Sequence, residues 1–217
     1  RVEYWAIDKM KLFLVLEETE FFQPEFVFEL IKLLIKTDEI SGAAVITKVP
    51  DSANMSKYLM KNYSKLYFQE IISLVFYKYS HLLISSLRMR LRLQPLYTVR
   101  HVLDYFGVDW FPVEVNINKK SVLRKIRNVR PDLIINSGSL IFGGELLGIP
   151  KKCVINRHSS LLPSFGGLLP VFHAVRLGSP IGVTAHIMEK KIDAGLVLAQ
   201  REINIESSDT LTDLYMK

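Results

Sequence analysis

Pro131-Asp132-Leu133-Ile134-Ile135-Asn136 is an unbroken apolar run entered through a proline and left through Ser137-Gly138. A run of this kind, with no polar alternation, reads as a strand buried on both faces, the position of an inner strand in a parallel sheet. The pattern repeats outward from it. Cys153 to Asn156 is a second such run, reached through a short helix around 143–147 and the turn Gly148-Ile149-Pro150. Upstream, a helix over 119–129 follows a strand over Val108 to Val113, whose Phe111-Pro112 fits a sheet edge or a strand end. Before that, a helix over 97–106 stops at Gly107. The first strand is 11–16, Pro24 opens a helix running to about Lys36, and Gly42 to Thr47 is the second strand. Downstream come a helix over 169–177 ending at Gly178, a strand over Ile181 to Met188, a loop holding Asp193, a strand over Leu196 to Ile203, and a helix capped by Asp209. Alternation of short apolar strands with helical patterns predicts an α/β fold with a mostly parallel sheet wrapped by helices.

The chain has 217 residues, 49% of them hydrophobic and 23% charged, enough for one α/β domain with an insertion. The stretch 64–107 reads as a helical insertion, with a long helix over 64–93. Its apolar part, 66–87, is interrupted by Glu70, Lys78 and His81, which predicts a buried or interface helix and no transmembrane segment. The run Arg88-Met89-Arg90-Leu91-Arg92 reads as a solvated basic face. Residues 1–9 read as an extension or tag-like segment, and Met10 as a natural start without a signal peptide. The other end falls inside a helical pattern at Lys217, which is compatible with a natural chain that continues. Net charge is +6, yet no zinc-finger, RNP-like or Lys/Arg-rich binding run accompanies it, so no nucleic-acid partner is expected. The single cysteine, Cys153, excludes an internal disulfide, reads as a buried strand residue and agrees with a cytoplasmic location.

The candidate chemistry lies where the Cys153 strand ends, in Asn156-Arg157-His158-Ser159-Ser160-Leu161-Leu162-Pro163-Ser164-Phe165-Gly166-Gly167. Ligands of open α/β sheets bind beyond the carboxyl ends of the strands. Strand geometry sends Asn156 and His158, two residues apart, to the same side, where an amide and an imidazole can polarise one carbonyl. Singly, each has an ordinary structural reading: a turn asparagine, a satisfied histidine, a turn-forming Asp193 before Gly195. Their joint spacing favours chemistry.

This run, together with Gly182-Val183-Thr184-Ala185-His186 and Ile192-Asp193-Ala194-Gly195, resembles the formyltransferase family that uses 10-formyltetrahydrofolate. The family pattern is Asn-x-His-x-Ser-Leu-Leu-Pro followed by a later Asp. The likeness is firm over about 131–217, whereas 11–130 agree only in the order of strands and helices. The resemblance implies a Rossmann-like α/β formyltransferase fold with helices on both faces of the sheet, and one catalytic domain over 10–217. It implies 10-formyltetrahydrofolate as co-substrate and a catalytic trio of Asn156, His158 and Asp193. Asn156 and His158 would hold the developing alkoxide, and Asp193 would take the proton leaving the amine. The pterin would lie against Ser139, Leu140, Ile141 and Phe142 and against Glu189, Lys190, Lys191 and Ile192. Ser160, Ser164 and Phe165 would meet the substrate, and His186 would buttress the site. Neither a metal nor a covalent intermediate is expected. The chain departs from the pattern at Ser159, where Pro is common, at Gly166, where a basic residue is common, and at Lys190-Lys191.

A glycinamide ribonucleotide formyltransferase would carry a glycine- and serine-rich phosphate loop after its first strand, but Leu16 is followed by Glu17-Glu18-Thr19-Glu20-Phe21-Phe22. A methionyl-tRNA formyltransferase would carry a further OB-type domain, for which 217 residues leave no length. The resemblance therefore points to amines of amino sugars, often nucleotide-linked, with Arg157 and Arg176 as candidate grips on a diphosphate. Two rivals stay open: a 10-formyltetrahydrofolate hydrolase, and a non-catalytic folate-binding protein of the same fold. A homodimer also stays open, and the amine itself is not legible.

Overall fold

The computed structural model describes residues 9–18, 23–50 and 98–217, together with the separate positions 72, 76, 79, 80, 83 and 87. In chain order the elements are β1 (Lys11–Glu17), α1 (Gln23–Leu34), β2 (Glu39–Lys48), α2 (Val99–Tyr105), β3 (Trp110–Glu114), α3 (Lys120–Val129) and β4 (Leu133–Ser137). There follow α4 (Gly144–Leu147), β5 (Cys153–His158), α5 (Pro170–Arg176), β6 (Ile181–Ile187), β7 (Val197–Ile203) and α6 (Leu211–Met216).

The strands form one seven-stranded sheet in the order β3-β2-β1-β4-β5-β6-β7. From β3 to β5 all neighbours are parallel, while β6 and β7 are added antiparallel. The sheet is thus mostly parallel, and Phe111-Pro112 lies on its edge strand β3, where a missing N–H is tolerated. Strand β1 has β2 on one side and β4 on the other. The chain therefore reverses its direction of winding between β1 and β4, and opens a crevice at their carboxyl ends.

Helices cover both faces, because alternate residues of the inner strands are buried on opposite sides. Leu14, Leu16, Ala43 and Val45 pack with Val27 and Ile31 of α1 and with Val99, Val102 and Leu103 of α2. Phe13, Val15, Ala44, Ile46, Ile134 and Val154 pack with Val122, Leu123 and Ile126 of α3 and Leu146 of α4. Full burial of each Val, Leu, Ile or Phe side chain among them contributes about 1.5–3 kcal/mol. A smaller cluster joins Val171 and Ala174 of α5 to Ile181 and Leu214.

Several expectations are corrected. Strand β2 begins at Glu39, because Glu39 and Ile40 pair with Lys11 and Leu12 before the register shifts at Phe13. Strand β5 runs on to His158, since Arg157 and His158 keep pairing with Ala185 and Thr184 of β6. The cap of α6 is Thr210, not Asp209: Thr210 and Asp213 form a capping box, while Asp209 accepts from the Glu206 N–H at 2.7 Å. Cys153 is half-buried rather than buried. Within the stretch read as an insertion, Val99–Tyr105 is a core helix whose Val99, Val102 and Leu103 are fully buried. The run 88–92 lies outside the described residues, as do residues 1–8 of the stretch read as an extension. Of 64–93, Ile72, Phe76, Tyr79, Leu83 and Leu87 are helical and all more than half exposed, so these positions are not buried. Among the described residues no helix is long and apolar enough to cross a membrane.

Candidate active site

A cleft of about 580 Å³ opens at the carboxyl ends of β1, β4 and β5, bounded by Glu17, Asn136, Ser137, Asn156 and His158. The volume suits a small molecule. Register puts the polar residues in line. Asn136 of β4 is the neighbour of Asn156 of β5, and Asn156 is the neighbour of His186 of β6. All three point to the face that carries Val154 and Ile134, and all three are buried.

Hydrogen bonds run along that row. Asn136 Nδ2 donates to Asn156 Oδ1 at 2.7 Å, and Asn156 Nδ2 lies 3.1 Å from His186 Nε2. His186 Nδ1 lies 3.0 Å from the Ile187 carbonyl oxygen. A carbonyl can only accept, so Nδ1 carries the proton and Nε2 accepts from Asn156. One cross-strand chain of bonds thereby assigns every amide and imidazole orientation in the row.

His158 continues the same face of β5. Its Nε2 donates to the Phe165 carbonyl at 3.1 Å, and its Nδ1 faces Asp193 Oδ2 at 3.8 Å. Asp193 also receives the Gly167 N–H on Oδ2 at 2.8 Å, and its Oδ1 lies 3.7 Å from His186 Nε2. The structure thus gathers Asn156, His158 and Asp193 around one space. The loop that presents Asp193 is tightly held, since a Cβ on Gly195 would collide with the Ile187 carbonyl. Asp193 itself has φ 50°, and Val115 (φ 61°) and Leu169 (φ 53°), also in the cleft wall, share this left-handed backbone. Such conformations are costly for residues other than glycine and gather at binding sites.

The loop after His158 is stapled from beneath by Thr184, whose side chain is fully buried. Its Oγ1 donates to the Ser160 carbonyl at 2.6 Å and accepts from the Leu162 N–H at 3.1 Å and from Gln200 Nε2 at 3.0 Å. Ser160 Oγ in turn donates to the Ser164 carbonyl at 2.8 Å.

Of the residues expected to meet folate, Ser139, Leu140, Ile141, Phe142, Glu189, Lys190 and Ile192 line the cleft. Lys191 is exposed outside it. Ser160, Ser164 and Phe165, expected to meet the substrate, do not line this cleft. Ser160 is buried as a loop staple, Ser164 is exposed, and the Phe165 ring packs against the cluster of Val171 and Leu214, leaving only its carbonyl to hold His158. Arg157 also borders the cleft, where it lies 4.3 Å over the Phe26 ring and donates from Nε to Ser137 Oγ at 3.2 Å. Burial pushes its guanidinium down to about 10, so it stays cationic at neutral pH. Arg176 stacks on Phe172 at 5.2 Å and is not part of the cleft wall. Among the described residues no group of side chains is arranged to hold a metal ion.

Sequence reading missed Asn136, Glu17 and Gln23 as cleft residues. Glu17 accepts the Ser139 N–H at 2.8 Å, and Gln23 Nε2 donates to the Ser137 carbonyl at 2.9 Å. The available signal was a polar residue closing an otherwise apolar strand, which Asn136 and Glu17 both do.

Residues 12–217 match the formyl transferase family. Curated relatives include the methionyl-tRNA formyltransferases of Thermotoga neapolitana, 40% identical over 101 residues, and Thermotoga maritima, 39% identical over 118 residues. The matched segments cover 46% and 54% of this chain and 32% and 37% of those proteins, so the chain matches only about a third of their length. Among solved structures, a formyltetrahydrofolate deformylase from Pseudomonas syringae pv. tomato superposes with a TM-score of 0.63 at 16% identity, covering 97% of this chain and 56% of that one. A phosphoribosylglycinamide formyltransferase from Bacillus halodurans gives 0.59 at 18% identity, covering 94% and 86%. A sugar N-formyltransferase from Shewanella sp. gives 0.54 at 17% identity, covering 94% and 62%. At such identities the three structures establish the α/β formyltransferase fold and nothing about substrate.

Proposed function

The chain belongs to the formyl transferase family, and on that footing we propose that it transfers a formyl group from 10-formyltetrahydrofolate to a primary amine. The observation that carries this reading is the meeting of Asn156, His158 and Asp193 in one cleft, with Asp193 Oδ2 3.8 Å from His158 Nδ1. In the reaction the amine nitrogen bonds to the formyl carbon, and the carbonyl oxygen gathers negative charge. The second N–H of Asn156 stabilises that oxygen, and His158 does so through an N–H at Nδ1, its Nε2–H being held by the Phe165 carbonyl. Asp193 accepts the proton that the amine sheds, and the bond from the formyl carbon to the folate nitrogen breaks as that nitrogen gains a proton. The products are a formamide and tetrahydrofolate. The donor's ring fits the wall formed by Leu140, Ile141, Phe142 and Ile192, where Ile141 and Ile192 are more than half exposed.

For the acceptor we propose an amino sugar, carried on a nucleotide. The acidic Glu17-Glu18 at the end of β1 disfavours a phosphate there and so disfavours a glycinamide ribonucleotide. A second acceptor, the amine of methionyl-tRNA, is favoured by the names of the curated relatives at 39–40% identity. Chain length carries no weight against it, because the matched segments span only about a third of those proteins.

The test supplies purified protein with 10-formyltetrahydrofolate and, in separate reactions, nucleotide-linked amino sugars, methionyl-tRNA or no amine. Tetrahydrofolate formation is followed by absorbance and the formylated product by mass. Formate released without any amine would establish the hydrolase instead, and no consumption of donor in any reaction would overturn the reading.

A further inference from the structure

Asn136 stands where β4 enters the cleft, 1% exposed, between Val15 of β1 and Asn156 of β5. Its amide gives away both hydrogens: Nδ2 donates to Asn156 Oδ1 at 2.7 Å and to the Gly138 carbonyl at 3.1 Å. Its Oδ1 is buried and has no hydrogen-bond partner among the described residues. A buried carbonyl oxygen without a partner is destabilising, and an apolar residue of the same volume would avoid that cost. Turning the amide over would be worse, since Oδ1 would then face the oxygens of both Asn156 and Gly138. The side chain is therefore locked as a donor toward Asn156.

On the far side, His186 spends its Nδ1–H on the Ile187 carbonyl and presents a bare Nε2 to Asn156 Nδ2 at 3.1 Å. Asn156 is thus oriented from two sides, its oxygen taking a hydrogen from Asn136 and its nitrogen giving one to His186. The remaining N–H of Asn156 is left for the cleft. An overturned Asn156 would instead turn its carbonyl oxygen toward the site, where it would repel a developing oxyanion.

Resting on the reading of the cleft as a formyl-transfer site, we infer that Asn136 is a positioning residue that keeps the N–H of Asn156, and not its C=O, turned to the reacting carbonyl. Asn136→Leu keeps the volume and removes the orphaned oxygen, but it strips Asn156 Oδ1 and the Gly138 carbonyl of their donor, so the melting temperature is expected to fall. It lowers kcat about tenfold, a fraction of the loss typical for deleting an oxyanion donor outright. KM for 10-formyltetrahydrofolate stays within about twofold, because the interaction gained strength only in the transition state.

The decisive measurement is the double-mutant cycle with Asn156→Ala. If Asn136 acts through Asn156, adding Asn136→Leu to Asn156→Ala slows the reaction no further. Equal slowing in both backgrounds, or an unchanged kcat in Asn136→Leu alone, overturns the inference while leaving the functional reading intact. Should Asn136→Leu not fold, Asn136→Ala replaces it in the cycle, and the same pair of results supports or overturns the inference. A wild-type protein that consumes no 10-formyltetrahydrofolate overturns the functional reading, and this inference with it.

Discussion

Asp193 holds Oδ2 3.8 Å from Nδ1 of His158, outside direct hydrogen-bond reach and within the span of one bridging proton carrier. A substrate amine or a water placed between them would contact both. His158→Ala and Asp193→Asn are each expected to lower turnover about a hundredfold or more, the usual loss for a positioned acid or base. Asparagine tolerates the left-handed backbone at 193 and can still accept the Gly167 N–H, so the Asp193→Asn protein should melt close to wild type. The rate of tetrahydrofolate release checks this, and near-normal rates in both variants would refute the assignment.

Thr184→Val tests the support beneath His158. The substitution conserves volume but removes the hydroxyl that meets the Ser160 carbonyl, the Leu162 N–H and Gln200. Buried backbone groups left unsatisfied cost about 1–3 kcal/mol, which urea unfolding would read as a lower midpoint. Activity should fall as well, because the released segment begins two residues after His158.

Asn118→Ala addresses the wall proposed to hold the folate. Asn118 Nδ2 donates to the Ile141 carbonyl at 2.9 Å, and its Oδ1 accepts the Gly143 N–H at 2.7 Å, so one side chain clamps the loop over 139–143. Loss of the clamp should raise KM for 10-formyltetrahydrofolate several-fold and leave kcat nearly unchanged, because the proposed chemistry falls to Asn156, His158 and Asp193, none of which lies in this loop. Steady-state kinetics separates the two constants, and a fall in kcat alone would contradict the assignment of the loop to donor binding.

Asp132 gives a pH prediction. The Lys11 N–H, at 2.7 Å, and then the Lys151 ammonium, also at 2.7 Å, hold its carboxyl below the ordinary carboxylate value. A carboxyl whose folded pKa is depressed adds stability that is complete above its unfolded pKa and disappears as pH falls through the folded pKa. Asp132→Asn should therefore destabilise the protein at pH 7 and have little effect at the acidic limit, below both pKa values. Melting temperatures of both proteins from neutral pH into that acidic range would show the gap closing, and a constant gap would exclude linkage to this group.

The elements were readable because their signals are local. The buried runs at 11–16, 132–136 and 153–156, the proline at 24 and the glycines at 107 and 178 each act within a few residues. The Asn156/His158 pair was readable for the same reason, since side-chain alternation along a strand needs no knowledge of the neighbours. Misreadings arose where a partner decides: Glu39 joins β2 through β1, and His158 belongs to β5 through β6. The contacts of Ser160 and Phe165 were not legible either: the Ser160 hydroxyl bonds within its own loop and the Phe165 ring packs partly against a core cluster.

By itself, the sequence determined an α/β chain with its chemistry at the end of one strand, because periodicity and turn residues are properties of short windows. Only the tertiary structure decided that Asn136, Asn156 and His186 share one row, and that Asp193 returns to face His158. Those meetings depend on strand register and on the path of a loop, which arise from packing between segments far apart in the chain.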